Sequence, residues 1–257
     1  MNSLRLAFRQ VAFENRAFWR NPAAAFFTVI LPLLFLVLFN AIFGDTTIQI
    51  DGKPADTSVF YVPAIAALCA ISACYTNIGM MVTISRDLGV LKRVRGTPLP
   101  PWAFIFGRVV HSVFLAAFLV SIVTIAGQLF YGVDVPRETM AAYALTVLIA
   151  APAFCALGLA ITAAIPNADA APAVVNGTIL PLLFISEVFI PSQNTPDWLD
   201  VIANAFPVLH FSDALQAAYN PFETGPAFEW VHLAVIAAWG VVGMVLALRF
   251  FTWEPRR

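Results

Sequence analysis

Six long apolar runs constrain this chain more than anything else in it. They lie at about 23–43, 59–84, 103–131, 139–165, 171–190 and 229–251. A helix rising ~1.5 Å per residue needs about 20 apolar residues to cross a hydrocarbon core of ~30 Å. Backbone polar groups inside lipid must bond within their own segment, so runs of this kind are expected to be helices. Only 11% of the residues are charged and the mean hydropathy is +0.83, where a soluble domain carries about 25% charged residues. The expectation is an all-α integral membrane protein with six transmembrane helices, forming a single transmembrane domain over 1–257. Cys69, Cys74 and Cys155 all fall inside apolar runs, which suits small packing residues better than a disulfide framework or a zinc site.

The few charges are placed unevenly. Within 4–20, Arg5, Arg9, Arg16 and Arg20 fall within about 60° of one another at ~100° per residue. Leu4, Ala7, Phe8, Val11, Phe18 and Trp19 take the other side. That pattern predicts an amphipathic interfacial helix, with arginines toward phosphates and water and Trp19 at the acyl boundary. Asn21-Pro22 then turns the chain into the bilayer. No cleavable signal peptide is expected, because the first apolar run starts late and is long. If both termini are cytoplasmic, twelve of the 14 Lys and Arg residues lie inside, leaving Lys53 and Arg137 outside. The positive-inside rule therefore predicts a multi-pass protein of the cytoplasmic (inner) membrane with both ends in the cytoplasm.

Residues 85–99 form the densest charge cluster and would be cytoplasmic. Arg86, Asp87, Lys92, Arg93 and Arg95 surround Leu88, Leu91 and Val94. The cluster can be a topology anchor, or a small docking helix ended by Gly96-Thr97-Pro98. Residues 191–228 are too long for a turn and too apolar for a solvated loop. Two short helix-like stretches separated by Pro207 predict a re-entrant or interfacial helical hairpin on the extracytoplasmic side.

The run Arg86-x-x-Gly89-x-Leu91-Lys92-Arg93-x-Arg95-x-Thr97-Pro98-Leu99 resembles the first cytoplasmic loop of type-2 ATP-binding-cassette (ABC) exporter permeases. A second stretch, Phe189-Ile190-Pro191 with Pro196-Asp197-Trp198-Leu199 and Pro207, resembles the same family around its fifth span and re-entrant helices. The resemblance implies a permease of the drug, antibiotic or glycolipid exporter type. It implies a homodimer with the substrate path between its copies, and two copies of an ABC ATPase gripping coupling helices. Arg86, Gly89, Leu91, Lys92, Arg93, Arg95, Thr97 and Pro98 would then serve ATPase coupling. ATP and Mg would be bound by the partner, since this chain carries no G-x-x-x-x-G-K-[ST] phosphate loop. The substrate would be hydrophobic or amphiphilic, and nucleic acid is no part of the reading.

Candidate path residues are Glu187, Asn77, Asn176, Phe35 and Phe189. Glu187 sits near the outer end of the fifth run, where an ionisable group is costly and often functional. It can equally be solvated at the interface. Asn77 and Asn176 suit interhelical hydrogen bonds. With 23 phenylalanines in the chain, Phe35 and Phe189 can line a path or face lipid. A passive channel or membrane scaffold would not need the 85–99 motif. A membrane enzyme would need clustered catalytic groups, but His111 and His210 fall on opposite sides of the membrane in this topology and His232 has no nearby partner in sequence. Arg108 and His111 are expected to snorkel to the cytoplasmic edge.

Overall fold

A computed structural model of the protein describes residues 3–44, 46–50, 52–186, 188, 196–223 and 225–254. The chain begins with α1 (Ser3–Trp19) and α2 (Pro22–Phe43). Their boundary is set by Asn21, whose Oδ1 accepts from the Ala24 N–H at 3.2 Å, and by Pro22 in the first helical position, where no N–H is needed. Pro32 lies inside α2.

The connection after α2 contains a β-hairpin that the all-α expectation omitted. β1 (Thr47–Ile50) pairs antiparallel with β2 (Lys53–Asp56), Ile50 opposite Lys53. The second span is one 31-residue rod made of three pieces. These are α3 (Thr57–Ile71), a π-helical turn (Ser72–Thr76) and α4 (Asn77–Asp87). Nearly every residue of α3 is buried, so this is the central rod of the bundle. A short α5 (Val90–Arg95) follows, then α6 (Pro101–Tyr131) and α7 (Met140–Ile161).

The fifth predicted span is shorter than expected. α8 (Ala171–Ile185) has 15 residues, about 22 Å of helix at ~1.5 Å per residue. Its expected continuation to residue 190 passes through positions outside the described residues. Among the described residues, five helices are long and apolar enough to cross a membrane, with α8 as a shorter apolar sixth. In place of the 191–228 stretch come α9 (Asp197–Ala205) and α10 (Pro207–Tyr219), then α11 (Trp230–Phe250). The two short helices differ in kind. α10 is buried along most of its length and packs against α3, α7, α8 and α11. α9 has one buried apolar residue, Ala203, and exposes Trp198, Val201 and Ile202.

The tightest helix pair is α7 with α11. A Cβ on Gly240 would stand 2.8 Å from the Ala153 Cβ, and one on Gly243 would stand 2.8 Å from the Leu157 backbone N. Small residues thus let the two backbones touch, as packing in lipid requires. Gly243→Leu is expected to force α7 and α11 apart at a cost of about 1–3 kcal/mol. That should lower the unfolding midpoint of detergent-purified protein by several degrees. Val242→Leu, on an exposed neighbour, is expected to leave the midpoint unchanged.

Candidate functional site

The basic cluster splits into two parts with different surroundings. Gly89 joins α4 to α5 with φ +69°, a left-handed conformation that favours glycine. Beyond that joint, α5 turns Leu91 fully into the bundle and exposes Lys92, Arg93 and Arg95. Leu88 is 65% exposed beside them. Arg93 Nη2 donates to the Leu88 carbonyl at 3.0 Å. The Thr97 hydroxyl donates to the Val94 carbonyl at 2.7 Å and accepts from the Leu99 N–H. Thr97 and Pro98 are exposed in the stop that follows. α5 rests on α4 and α6. The result is a short cationic knob on a stiff base.

Arg86 does not belong to that knob, which corrects the expectation that it lies on a docking surface. It occupies the last turn of α4 and is 0% exposed. Its Nη1 donates to the Thr162 carbonyl at 2.9 Å and its Nη2 to the Ile165 carbonyl at 2.6 Å. Thr162 caps the end of α7, where the last carbonyls have no intrahelical donors, and Ile165 lies just beyond it. Asp87 completes the clamp, its Oδ2 accepting from the Ala168 N–H at 2.7 Å. A planar fork of donors matches two diverging carbonyls, which a lysine could not do. Leu91 is likewise an internal anchor for α5, so the exposed face consists of Leu88, Lys92, Arg93 and Arg95.

The N-terminal helix forms as expected, with Arg5, Arg9, Arg16 and Arg20 all exposed. Its other side is not simply apolar surface for lipid. Ala7, Gln10, Glu14 and Phe18 lie against α6 instead. A Cβ on Gly107 would meet Gln10, and Glu14 Oε1 accepts from Gln10 Nε2 at 2.8 Å and from Arg108 Nε at 3.2 Å. Arg108 also stacks over Phe104, and Phe18 packs on His111. Arg108 and His111 therefore do not snorkel; a partner on α1 holds the first and burial encloses the second. Glu14 is the sole acid of α1 and Arg108 the sole charge of α6, a signal that pairing could have been sought. Trp19 is half exposed and meets Phe118 edge to face.

The path candidates are not gathered in one place. Asn77 and Phe35 line the same cavity, about 350 Å³, between α2, α3 and α6. Asn77 Nδ2 approaches Ser112 Oγ at 3.5 Å. Asn176 lies on α8, part exposed, away from that cavity. Glu187 and Phe189 lie outside the described residues. A larger apolar cavity of about 690 Å³ lies between α7, α8, α10 and α11, with Thr178 and Tyr75 in its wall; their hydroxyls are 2.7 Å apart.

Two histidines distant in sequence meet across α10 and α11. His210 Nδ1 and His232 Nδ1 are 2.9 Å apart, and His210 Nε2 is 3.0 Å from the Asn204 carbonyl. Asp213 and Glu229 each stand 4.0 Å from His232. The 22-residue separation hid this pair, because it depends on how α10 folds back. Among the described residues no group of three or more such side chains is gathered to hold a metal.

Several membrane-length helices around a buried rod, with a basic helix projecting from one end, define a multi-pass membrane protein. Residues 8–220 match the model of the ABC-2 type transporter family, and the chain belongs to that family. It is the transmembrane subunit of an ABC transporter, and this membership implies an ABC ATPase as its partner. The chain is 26% identical over 245 residues to the daunorubicin resistance ABC transporter permease protein DrrB1 of Streptomyces coeruleorubidus, covering 90% of this chain and 80% of that one. It is 24% identical over 236 residues to the protein named as transport permease ycf38 of Porphyra purpurea, covering 91% and 79%. It is 26% identical over 170 residues to YbhR of Escherichia coli K12, named as a multidrug ABC transporter permease, covering 64% and 44%.

Proposed function

We propose that the protein is the permease half of an ATP-driven exporter. In this reading two copies form the substrate path between them, and each docks a separate ATPase subunit through α5. The observation that carries the reading is the position of α5. It presents Lys92, Arg93 and Arg95 outward, while Leu91 and the Arg86–Asp87 clamp fix its base to two membrane helices. Movement imposed on such a knob is passed on as a rigid-body shift, whereas a long flexible loop would absorb it. α2 supports the dimer, since it leaves Phe26, Ile30, Leu34 and Val37 uncovered along one side. The names of DrrB1 and YbhR support a hydrophobic or amphiphilic drug-like cargo. α9 and α10 are read as the re-entrant pair at the exit, and both termini as cytoplasmic.

The test is a pull-down of the tagged chain from mild detergent, followed by mass spectrometry and ATPase assay. A stoichiometric ABC ATPase, with ATP-dependent transport after reconstitution, is the expected result. A chain that purifies alone and passes solutes without ATP would make it a passive channel.

Glu187 gives this reading a second check. Glu187→Gln is expected to slow export about tenfold, ~1.4 kcal/mol on the barrier, while the ATPase still co-purifies. Unchanged export would remove Glu187 from the path.

A further inference from the structure

The cleft between α1, α2, α4 and α6 is built in two levels. The upper level is a cavity of about 260 Å³ with Glu14, Asn21, Arg108, His111 and Ser112 in its wall. The lower level is the 350 Å³ cavity, lined by Phe27, Leu31, Phe35, Leu68, Leu115 and Leu119. The two share Phe18 and Asn77 in their walls. Ala24 of α2 belongs to the upper level and residues 27–35 to the lower, a step of about 10 Å along the helix at ~1.5 Å per residue. A charged chamber thus leads into an apolar one along the direction of the spans. The charged chamber is at the end of the bundle where α1 meets α6.

We infer that this cleft holds one membrane phospholipid with a phosphoethanolamine head. The head chamber carries one cation and one anion side by side, so its charge complements a zwitterion better than a simple anion. Arg108 spends only Nε on Glu14, and its buried Nη1 has no hydrogen-bond partner among the described residues. A phosphate oxygen supplies that acceptor, as guanidinium forks commonly find. Glu14 uses Oε1 for Gln10 and Arg108, which leaves Oε2 to accept from a primary ammonium. The first part of an acyl chain then fills the lower cavity, whose wall beside the central rod is mostly apolar. The site is separate from α5 and does not depend on how the transporter is driven.

Native mass spectrometry of the full chain in detergent, titrated with palmitoyl-oleoyl phosphatidylethanolamine, tests it. Three probes separate head from tail: that lipid, the matching phosphatidylcholine, and the matching diacylglycerol. Phosphatidylethanolamine is expected to bind at one site. Phosphatidylcholine should bind about tenfold more weakly because its head has no N–H to donate, and diacylglycerol more weakly still. Ser72→Phe fills the lower cavity from an exposed position. The double variant Glu14→Gln with Arg108→Gln keeps a neutral hydrogen-bonding pair but removes both charges. Each is expected to weaken phosphatidylethanolamine binding at least about tenfold, with folding verified by an unchanged elution volume. Equal binding of all three probes, or affinities unchanged in both variants, would overturn the site.

Discussion

Reversing Arg93 and Arg95 to Glu is expected to strip the ATPase from the permease while leaving the permease itself intact. Both side chains are exposed and contribute little to the fold; their bonds are local, such as that from Arg93 to Leu88, and exposed charges generally contribute little to stability. Against a complementary acidic cleft each would supply a charge-assisted contact of about 1.5–3 kcal/mol. Reversal replaces two attractions by two repulsions. Association should weaken more than about a hundredfold, a threshold that the loss of two such contacts alone would reach. The measurement is the ATPase recovered per permease in a pull-down, with ATP-dependent transport in vesicles as the second readout. Gln at both positions should give an intermediate loss and a flatter salt dependence, because screening acts on the charges. Full recovery of the ATPase with the Glu variant would leave the cluster as a topology anchor only.

Arg86→Met is expected to act in the opposite way, on the fold first and on docking only through it. The substitution keeps an unbranched stem but leaves the Thr162 and Ile165 carbonyls without their donors. Both residues are almost fully buried. Two lost bonds to a charged group come to roughly 3–5 kcal/mol. The unfolding midpoint in detergent should fall by about 10 °C for a chain of this size. Arg86→Lys should fall between, since a point charge reaches one carbonyl and not two. A Met variant that melts with the wild type yet loses the ATPase would return Arg86 to the docking surface.

The contrast between these two arginines shows what was legible in the sequence and what was not. Apolar length and charge position gave the helices α1, α2, α6 and α11 to within two residues, because lipid permits few alternatives to a helix of spanning length. They gave the start of α7 equally well, though α7 ends four residues before the run does. The stop after Arg95 was legible as well, through Gly96 and Pro98, but the joint at Gly89 was not, since the spacing of Leu88, Leu91 and Val94 suggests one helical face running across it. Nor was the role of Arg86. Six positions separate it from Lys92, but the helix end between them sends one inward and the other out. The hairpin at 47–56 escaped because two four-residue strands between membrane helices carry too little alternation to register. The fifth span is described as α8 to Ile185, and most of its expected remainder to 190 lies outside the described residues. Pairs such as Glu14 with Arg108, or His210 with His232, need the tertiary fold before they exist.

The π-helical turn at Ser72–Thr76 has a consequence for everything after it in that rod. A turn closed by i→i+5 bonds takes up one residue more than an α turn. One residue is ~100° of rotation, so the wide turn resets the phase of α4 relative to α3 by about that angle. Had the rod been a continuous α-helix, Arg86 would point about a quarter-turn away from the end of α7, and Asn77 away from Ser112. The aim of the clamp is thus written ten residues upstream of it. Removing a single residue from 72–76 would shorten the second span by only one residue and still turn the Arg86–Asp87 clamp away from the end of α7.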